Sequence, residues 1–542
     1  MRQRGRIWLA AAAALLFAGV GAQPAPAAEK DRPITPAVTA AVQVSVNPDP
    51  ARGHSTPLIT RSPKTGVLVI ADCEARSKRT VDVYRSFDDG RSWAPGGSPM
   101  TSPWTDACGN PDSNIAFSLA YDKDGVLYVA FHASDPRFAT IDRPNRPVHI
   151  WLAKSNDDGA TFETVRVYEA PEAPEADRGL KRNYRAWVAV DPKEPRFVYI
   201  SWMQFHTNDD VPSGNKALIV ASSDGGRTFD RPFSLREGDP QGSYEGRPAV
   251  DGKGVVHVTF AGRGRAVPPP EGQPAPPPPV RTVLYRSSAD HGRTWTEAKQ
   301  IEEGNAAFSH NRKWGLRADP NSDNLYAVWY GHPNPRAALP ADDRDVYLRV
   351  SRDSGRTWED RVVVNDDSEQ PNVHHLHPNL SVAPNGRLDI VWMDSRNSPI
   401  PPGTMTPLPN VAYVGHHDVY YTYSLDQGRT FAPNIKITDR IIDRRFGIWQ
   451  GNADIHGPTG IFSTDDTVYF TWQDSRNGHN LVSADDTYFA SLHLYGTPTA
   501  IGTAVDDDGG VPTPLLIAAG LAIGMGVSMV VVSIVSRRSR AA

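Results

Sequence analysis

The chain has 542 residues, with 57 basic against 62 acidic side chains and a net charge of −5. The two signs are well mixed along it, and nothing in the charge pattern suggests nucleic acid as a partner. Two cysteines, Cys73 and Cys108, are too few for a thiolate metal site, and no cofactor is expected.

The ends read as addresses. Met1–Ala27 carries arginines at 2, 4 and 6, the apolar run Ile7–Val20 and a small-x-small cleavage site, Ala25-Pro26-Ala27, which together make a secretory signal peptide. At the other end Leu515–Val535 has no charge and is long enough to cross ~30 Å of hydrocarbon. Arg537, Arg538 and Arg540 follow at once, so residues 536–542 are expected in the cytoplasm. Residues 28–504 then form the extracellular body, with 505–514 as a short stalk to a single-pass anchor in the cell membrane. Export permits a Cys73–Cys108 disulfide; two buried thiols are the alternative.

Within the body one octapeptide pattern, S-x-D-x-G-x-[ST]-[WF], occurs six times. The copies start at Ser86, Ser155, Ser222, Ser288, Ser351 and Ser424, so the spacings are 69, 67, 66, 63 and 73. Each is preceded by three short β-branched or aromatic runs and followed by a fourth, with Gly, Pro, Asn and Asp between them. In the first unit the runs are Thr56–Ile59, Gly66–Ala71 and Val81–Arg85. In the third they are Ala186–Val190, Phe197–Met203 and Ala217–Ala221, and in the sixth Asn379–Ala383, Leu388–Met393 and Val419–Tyr423. No stretch keeps a helical period. Four antiparallel strands per repeat predict an all-β, single β-propeller. Beyond the sixth box, Ile455–Ser463, Val468–Gln473 and Thr487–Leu494 supply three strands of a seventh unit, and Ala40–Val46 is the natural donor of its fourth. Seven blades are favoured over six.

The box resembles the Asp-box, or sialidase-type (BNR), repeat, and the likeness runs along the whole body. The resemblance implies a propeller and, for activity, a glycosidase, a glycan binder or a receptor. Each box reads physically as a turn: the Asp accepts from turn amides, the Gly takes positive φ, and the aromatic packs between blades.

Boxes between strands three and four share one rim. Starts of strand one and ends of strand two share the other, as do the long insertions Gly262–Pro279, Gly331–Arg344 and Asn397–His416, which marks that rim as the working face. Its polar residues include His54, Asp72, Glu74, Asp112, Asn114, Tyr184, Arg185, Trp187, Tyr244, Glu245, Arg247, Trp314, Arg317, His377 and Asp394. By resemblance to sialidases, Arg185, Arg247 and Arg317 are the substrate-carboxylate triad, Tyr244 with Glu245 the nucleophile pair, and Asp112 or Asp72 the acid/base. The sialidase Phe/Tyr-Arg-Ile-Pro segment is replaced here by His54-Ser55-Thr56-Pro57-Leu58, without its arginine. Structural salt bridges between blades are the other account of these arginines. Trp187 and Trp314, with Trp392 and Trp472, offer faces for sugar rings or for packing between blades. His377 and Asp394 are further substrate contacts. The segments Trp392–Asn397 and Trp472–Asn477, both W-x-D-S-R-N, read as rim ties or sugar contacts. Histidines 374, 375 and 377 alternate on an extended strand, so no metal site is assigned to them. The sequence thus points to a membrane-anchored propeller that acts on or binds glycans as a glycoside-hydrolase-like protein, or to a non-catalytic receptor for a glycan or a cell-surface protein.

Overall fold

A computed structural model describes residues 36–494 except for 47–52, 75–79, 101–116, 135–146, 171–180, 207–214, 237–242, 264–280, 303–314, 332–344, 371–372, 400–414, 444–445, 448–458 and 480–483. The expected signal peptide, stalk and Leu515–Val535 span therefore lie outside the described residues. Among the described residues there is no helix, and none long and apolar enough to cross a membrane.

The body is a seven-bladed β-propeller. Its inner strands are His54–Arg61, Phe117–Tyr121, Lys181–Val190, Ser243–Val250, Gly315–Ala318, His375–Val382 and Gly460–Ser463. Each touches the next, and the seventh touches the first, so the ring is closed. From each inner strand the sheet runs outward through antiparallel neighbours, as in blade four: Ser243–Val250, Val256–Arg263, Arg281–Ser288 and Lys299–Glu302. One parallel pair, Arg182 with Val148, also joins blades two and three. Second strands are buried on both faces, which explains their unbroken apolar runs, and their large side chains fill the wedges between blades. Trp202, Trp329, Trp392, Trp472, Phe131 and Phe260 are all fully buried there.

The six boxes are the turns between third and fourth strands, and all have one geometry. In the first, Ser86 Oγ donates to Asp88 Oδ1 at 2.8 Å and accepts the Gly90 N–H at 2.8 Å. Asp88 in turn accepts the N–H and the hydroxyl of Ser92, at 2.9 and 2.6 Å. The same serine, aspartate and Ser/Thr bonds recur in the other five. The residue before the glycine also has positive φ in every box: Asp89, Asp158, Gly225, His291, Ser354 and Gln427. The box aromatics pack against the preceding blade, Trp93 on Phe489 and Trp358 on Tyr285, both edge to face.

Closure comes from the amino-terminal end, as expected, but its strands differ from Ala40–Val46. Ala37–Val38 pairs with His493 and Leu492, and Val42–Gln43 with Phe489 and Tyr488. Between them Thr39 Oγ1, rather than a backbone carbonyl, accepts the Ser491 N–H, and the ladder breaks there. Cys73 is disulfide-bonded; Cys108, the other cysteine of the chain, lies outside the described residues.

Candidate functional site

Four inner strands carry the same distortion near the rim opposite the boxes. The pairing register slips between Ser55 and Leu58, Tyr184 and Trp187, Tyr244 and Gly246, and Leu376 and Asn379. At each slip one non-glycine residue takes positive φ: Thr56 at 54°, Arg185 at 60°, Glu245 at 28° and His377 at 55°. Such a bulge turns a side chain out of the regular alternation, and holding a non-glycine residue there costs on the order of 1–3 kcal/mol. Strain of this kind, repeated on one rim, supports the choice of that rim as the working face.

Two of these bulges join blades three and four. Glu245 is buried; its Oε2 lies 3.1 Å from Arg185 Nη1, and its Oε1 accepts from Trp187 Nε1 at 2.9 Å. Arg247 Nη2 is 2.9 Å from the same Oε1, and its guanidinium lies over the Trp187 ring at 3.3 Å from the centroid. One carboxylate thus serves two arginines. Arg247 is 7% exposed, yet no acceptor among the described residues stands in line with its Nε or Nη2 hydrogens. Burial pulls its pKa down; the Glu245 charge opposes this, and Arg317 and Arg185 add to the lowering, leaving it at about 10. Arg247 therefore stays cationic at neutral pH.

Arg317 sits deeper, midway along the short inner strand of blade five. It is exposed to water, while the protein around it still lowers its pKa by desolvation. The Arg317 charge is close enough to depress Arg247, so all three expected arginines belong to one electrostatic cluster.

Other expectations need correction. Tyr244 and Glu245 do not form a pair: Tyr244 packs against the apolar core between blades four and five, whereas Glu245 turns toward blade three. The bulge separates the two neighbours instead of converging them. Glu245 is a counter-ion for arginines and not the partner of a nucleophile. Trp187 has one face covered by Arg247, and Trp392 and Trp472 are buried between blades, so none is an open platform for a sugar. His377 is buried with its ring edge-on to Tyr330, 5.6 Å away. Asp394 is fully buried and accepts from Trp392 Nε1 and from the Arg396 backbone and guanidinium, which leaves it no role in touching substrate. Asp112 and Trp314 lie outside the described residues, as do most residues of the three insertions.

The W-x-D-S-R-N segments are ties. Arg396 bonds Asp394, Asp366 and Asp367 and lies 4.2 Å from the Tyr420 ring centroid; Arg476 does the same with Asp474, Asp439 and Tyr488. Burial opposes their charge, but these carboxylates raise both arginines above the usual range. His375 joins this group, 2.8 Å from Asp367 Oδ1. Asp366 and Asp367 were not read from the sequence: they lie about thirty positions before their arginine, in a loop with no pattern of its own.

No family model matches the chain, and no curated protein does. Solved structures do. A Penicillium chrysogenum α-L-arabinanase complexed with arabinobiose aligns at 13% identity over 66% of this chain and 94% of its own, with a TM-score of 0.44. A Hadza microbial sialidase aligns at 15% over 80% and 76%, with a TM-score of 0.42. A polysaccharide lyase aligns at 10% over 83% and 92%, with a TM-score of 0.45.

Proposed function

We propose that this protein is an exported, membrane-anchored propeller that binds carboxylated glycans at the cell envelope through Arg185, Arg247 and Arg317. The observation that carries the reading is the charge imbalance of the cluster. Two guanidinium groups, Arg185 and Arg247, share the Glu245 carboxylate, Arg317 beside them has no carboxylate paired with it among the described residues, and the buried Arg247 keeps its Nε without an acceptor. A buried donor without a partner costs about 1–3 kcal/mol, more for a charged group, so an incoming carboxylate that met these donors would recover that cost. Guanidinium groups suit this task because their planar forks match carboxylate geometry.

Binding is the better-supported half of the expectation. Hydrolysis needs a second fixed acid, base or nucleophile beside the cluster, and Tyr244 packs against the core between blades four and five while Glu245 turns to blade three. The test presents the purified protein with a panel of neutral, uronic and sialylated oligosaccharides and measures both affinity and release of reducing sugar. Saturable binding of acidic sugars, weakened tenfold or more by Arg317→Ala, supports the reading. Turnover of the same sugars would make the protein a glycoside hydrolase; equal affinity for neutral and acidic sugars would sink the arginine site.

A further inference from the structure

We propose that His54, Asp72 and Asp82 form a divalent-cation site where blade one meets blade seven, away from the arginine cluster. Asp72 and Asp82 face each other across the second and third strands of blade one. His54 heads the inner strand, and its N–H is bonded to the Asp485 carbonyl of blade seven. Each of the three offers a ligating atom, and these atoms lie within 4.8 Å of one another.

The histidine is wholly enclosed and turns one ring nitrogen to these carboxylates. His54 has no solvent exposure, yet its Nε2 has no hydrogen-bond partner. The Thr56 hydroxyl, on the bulge two residues on, is likewise buried without a partner. The other ring nitrogen, Nδ1, stands 3.2 and 3.1 Å from the two Asp72 oxygens and 3.5 Å from the Tyr84 hydroxyl. A simple hydrogen bond would settle on one oxygen. Two donors each about 2.1 Å from one metal ion stand roughly 3.0–3.4 Å apart, the spacing seen here. With the proton on Nε2, the Nδ1 lone pair faces the carboxylates and can meet the ion.

The surroundings favour a cation. Glu74 lies opposite His54 across the strand pair, and Asp486 holds the Ser45 hydroxyl of the closing segment at 3.0 Å. One imidazole with carboxylate oxygens suits Zn²⁺ or Mn²⁺ better than Ca²⁺ or Mg²⁺, which favour all-oxygen sites. Asp82 is only half-buried, which gives the ion a way in. Because Asp72 also accepts the Thr487 hydroxyl of blade seven at 2.5 Å, a bound ion would brace the seam at which the ring closes.

The test uses the full chain purified in mild detergent and stripped with a chelator. ZnCl₂ and MnCl₂ are titrated calorimetrically, and melting is followed with and without each ion. Saturable 1:1 binding by one of them is expected, with a rise in melting temperature, and Asp82→Asn should weaken that binding tenfold or more. Asp82→Asn keeps the side-chain shape at a half-buried position, so its metal-free melt should match that of the wild type, which separates loss of the site from loss of the fold. His54→Gln should abolish the metal-dependent rise, and Arg317→Ala should leave it unchanged. No saturable binding of either ion, or binding that Asp82→Asn does not weaken, would overturn the site and leave His54 as an imidazolium paired with Asp72.

Discussion

Glu245 and Arg247 are two residues apart on one inner strand, and the bulge at Glu245 brings the carboxylate to 2.9 Å from the Arg247 guanidinium. In an undistorted strand the two would share a face but Glu245 would not also reach Arg185 on the next blade. The distorted backbone makes one acid the common counter-ion of two buried bases. Replacing it leaves both uncompensated. Glu245→Gln should destabilise the protein by about 3–5 kcal/mol, the usual cost of removing one partner of a buried ion pair. Millimolar acetate or formate should restore part of this loss in Glu245→Ala, where space for the anion is opened. Thermal melts with and without the anion check both statements, and the wild type should respond far less.

Arg317 allows a cleaner separation of binding from folding. It is exposed and no carboxylate is paired with it among the described residues, so Arg317→Ala should change stability by no more than about 0.5 kcal/mol. Arg247→Ala should cost considerably more, because it uncovers Trp187 and unbalances Glu245. Urea unfolding of the two variants, beside glycan affinity, distinguishes the roles.

The box turns should be sensitive at the serine and the glycine. Ser351 is buried, and its Oγ accepts the Gly355 N–H at 2.8 Å. Ser351→Ala orphans that donor and should cost about 1–3 kcal/mol. At Gly355, φ is +84° and a Cβ would meet the Tyr285 hydroxyl of the preceding blade. Gly355→Ala should therefore cost at least about 2 kcal/mol, from backbone strain and overpacking together. Chemical denaturation of each single variant tests the order.

Acid should loosen these same turns. The Thr294 hydroxyl holds Asp290 down to about 2, and the Ser92 hydroxyl does so for Asp88. A carboxylate whose folded pKa is depressed contributes stability that is present above its unfolded value near 4 and is lost as pH falls through about 2. The urea midpoint should hold from pH 6 to pH 4.5 with respect to these groups and drop between pH 4 and pH 2. Thr294→Val removes a donor from Asp290 and raises its folded pKa toward the unfolded value, so in that variant the decline over this window should be smaller and end at higher pH.

The fold was legible because its signals are local. Each box packs serine, aspartate and glycine into eight residues, and their bonds never leave the turn, so repetition alone exposes them. The donor strand was legible in kind but displaced, because Thr39 substitutes its hydroxyl for a main-chain acceptor, which no alternation pattern reveals. At the site, the arginines could be listed but not their partner. Whether Glu245 faces Tyr244 or Arg185 depends on one positive φ, and nothing in Ser243–Val250 marks it in a single sequence. Asp394 was misread for the reverse reason: its polarity suggested a ligand contact, while its bonds to Trp392 and Arg396 consume it.

Pairing of Ala37 with His493 sets a timetable for synthesis. Among the described residues the first strand to emerge has as partner the last one made, and Thr39 bonds Ser491 across 452 positions. Six blades can form in order while the chain grows, but blade seven exposes a bare edge until residue 493 arrives. Closing so long a loop is the slow step expected of non-local pairing. A nascent chain stalled short of that point would hold six finished blades and an open ring.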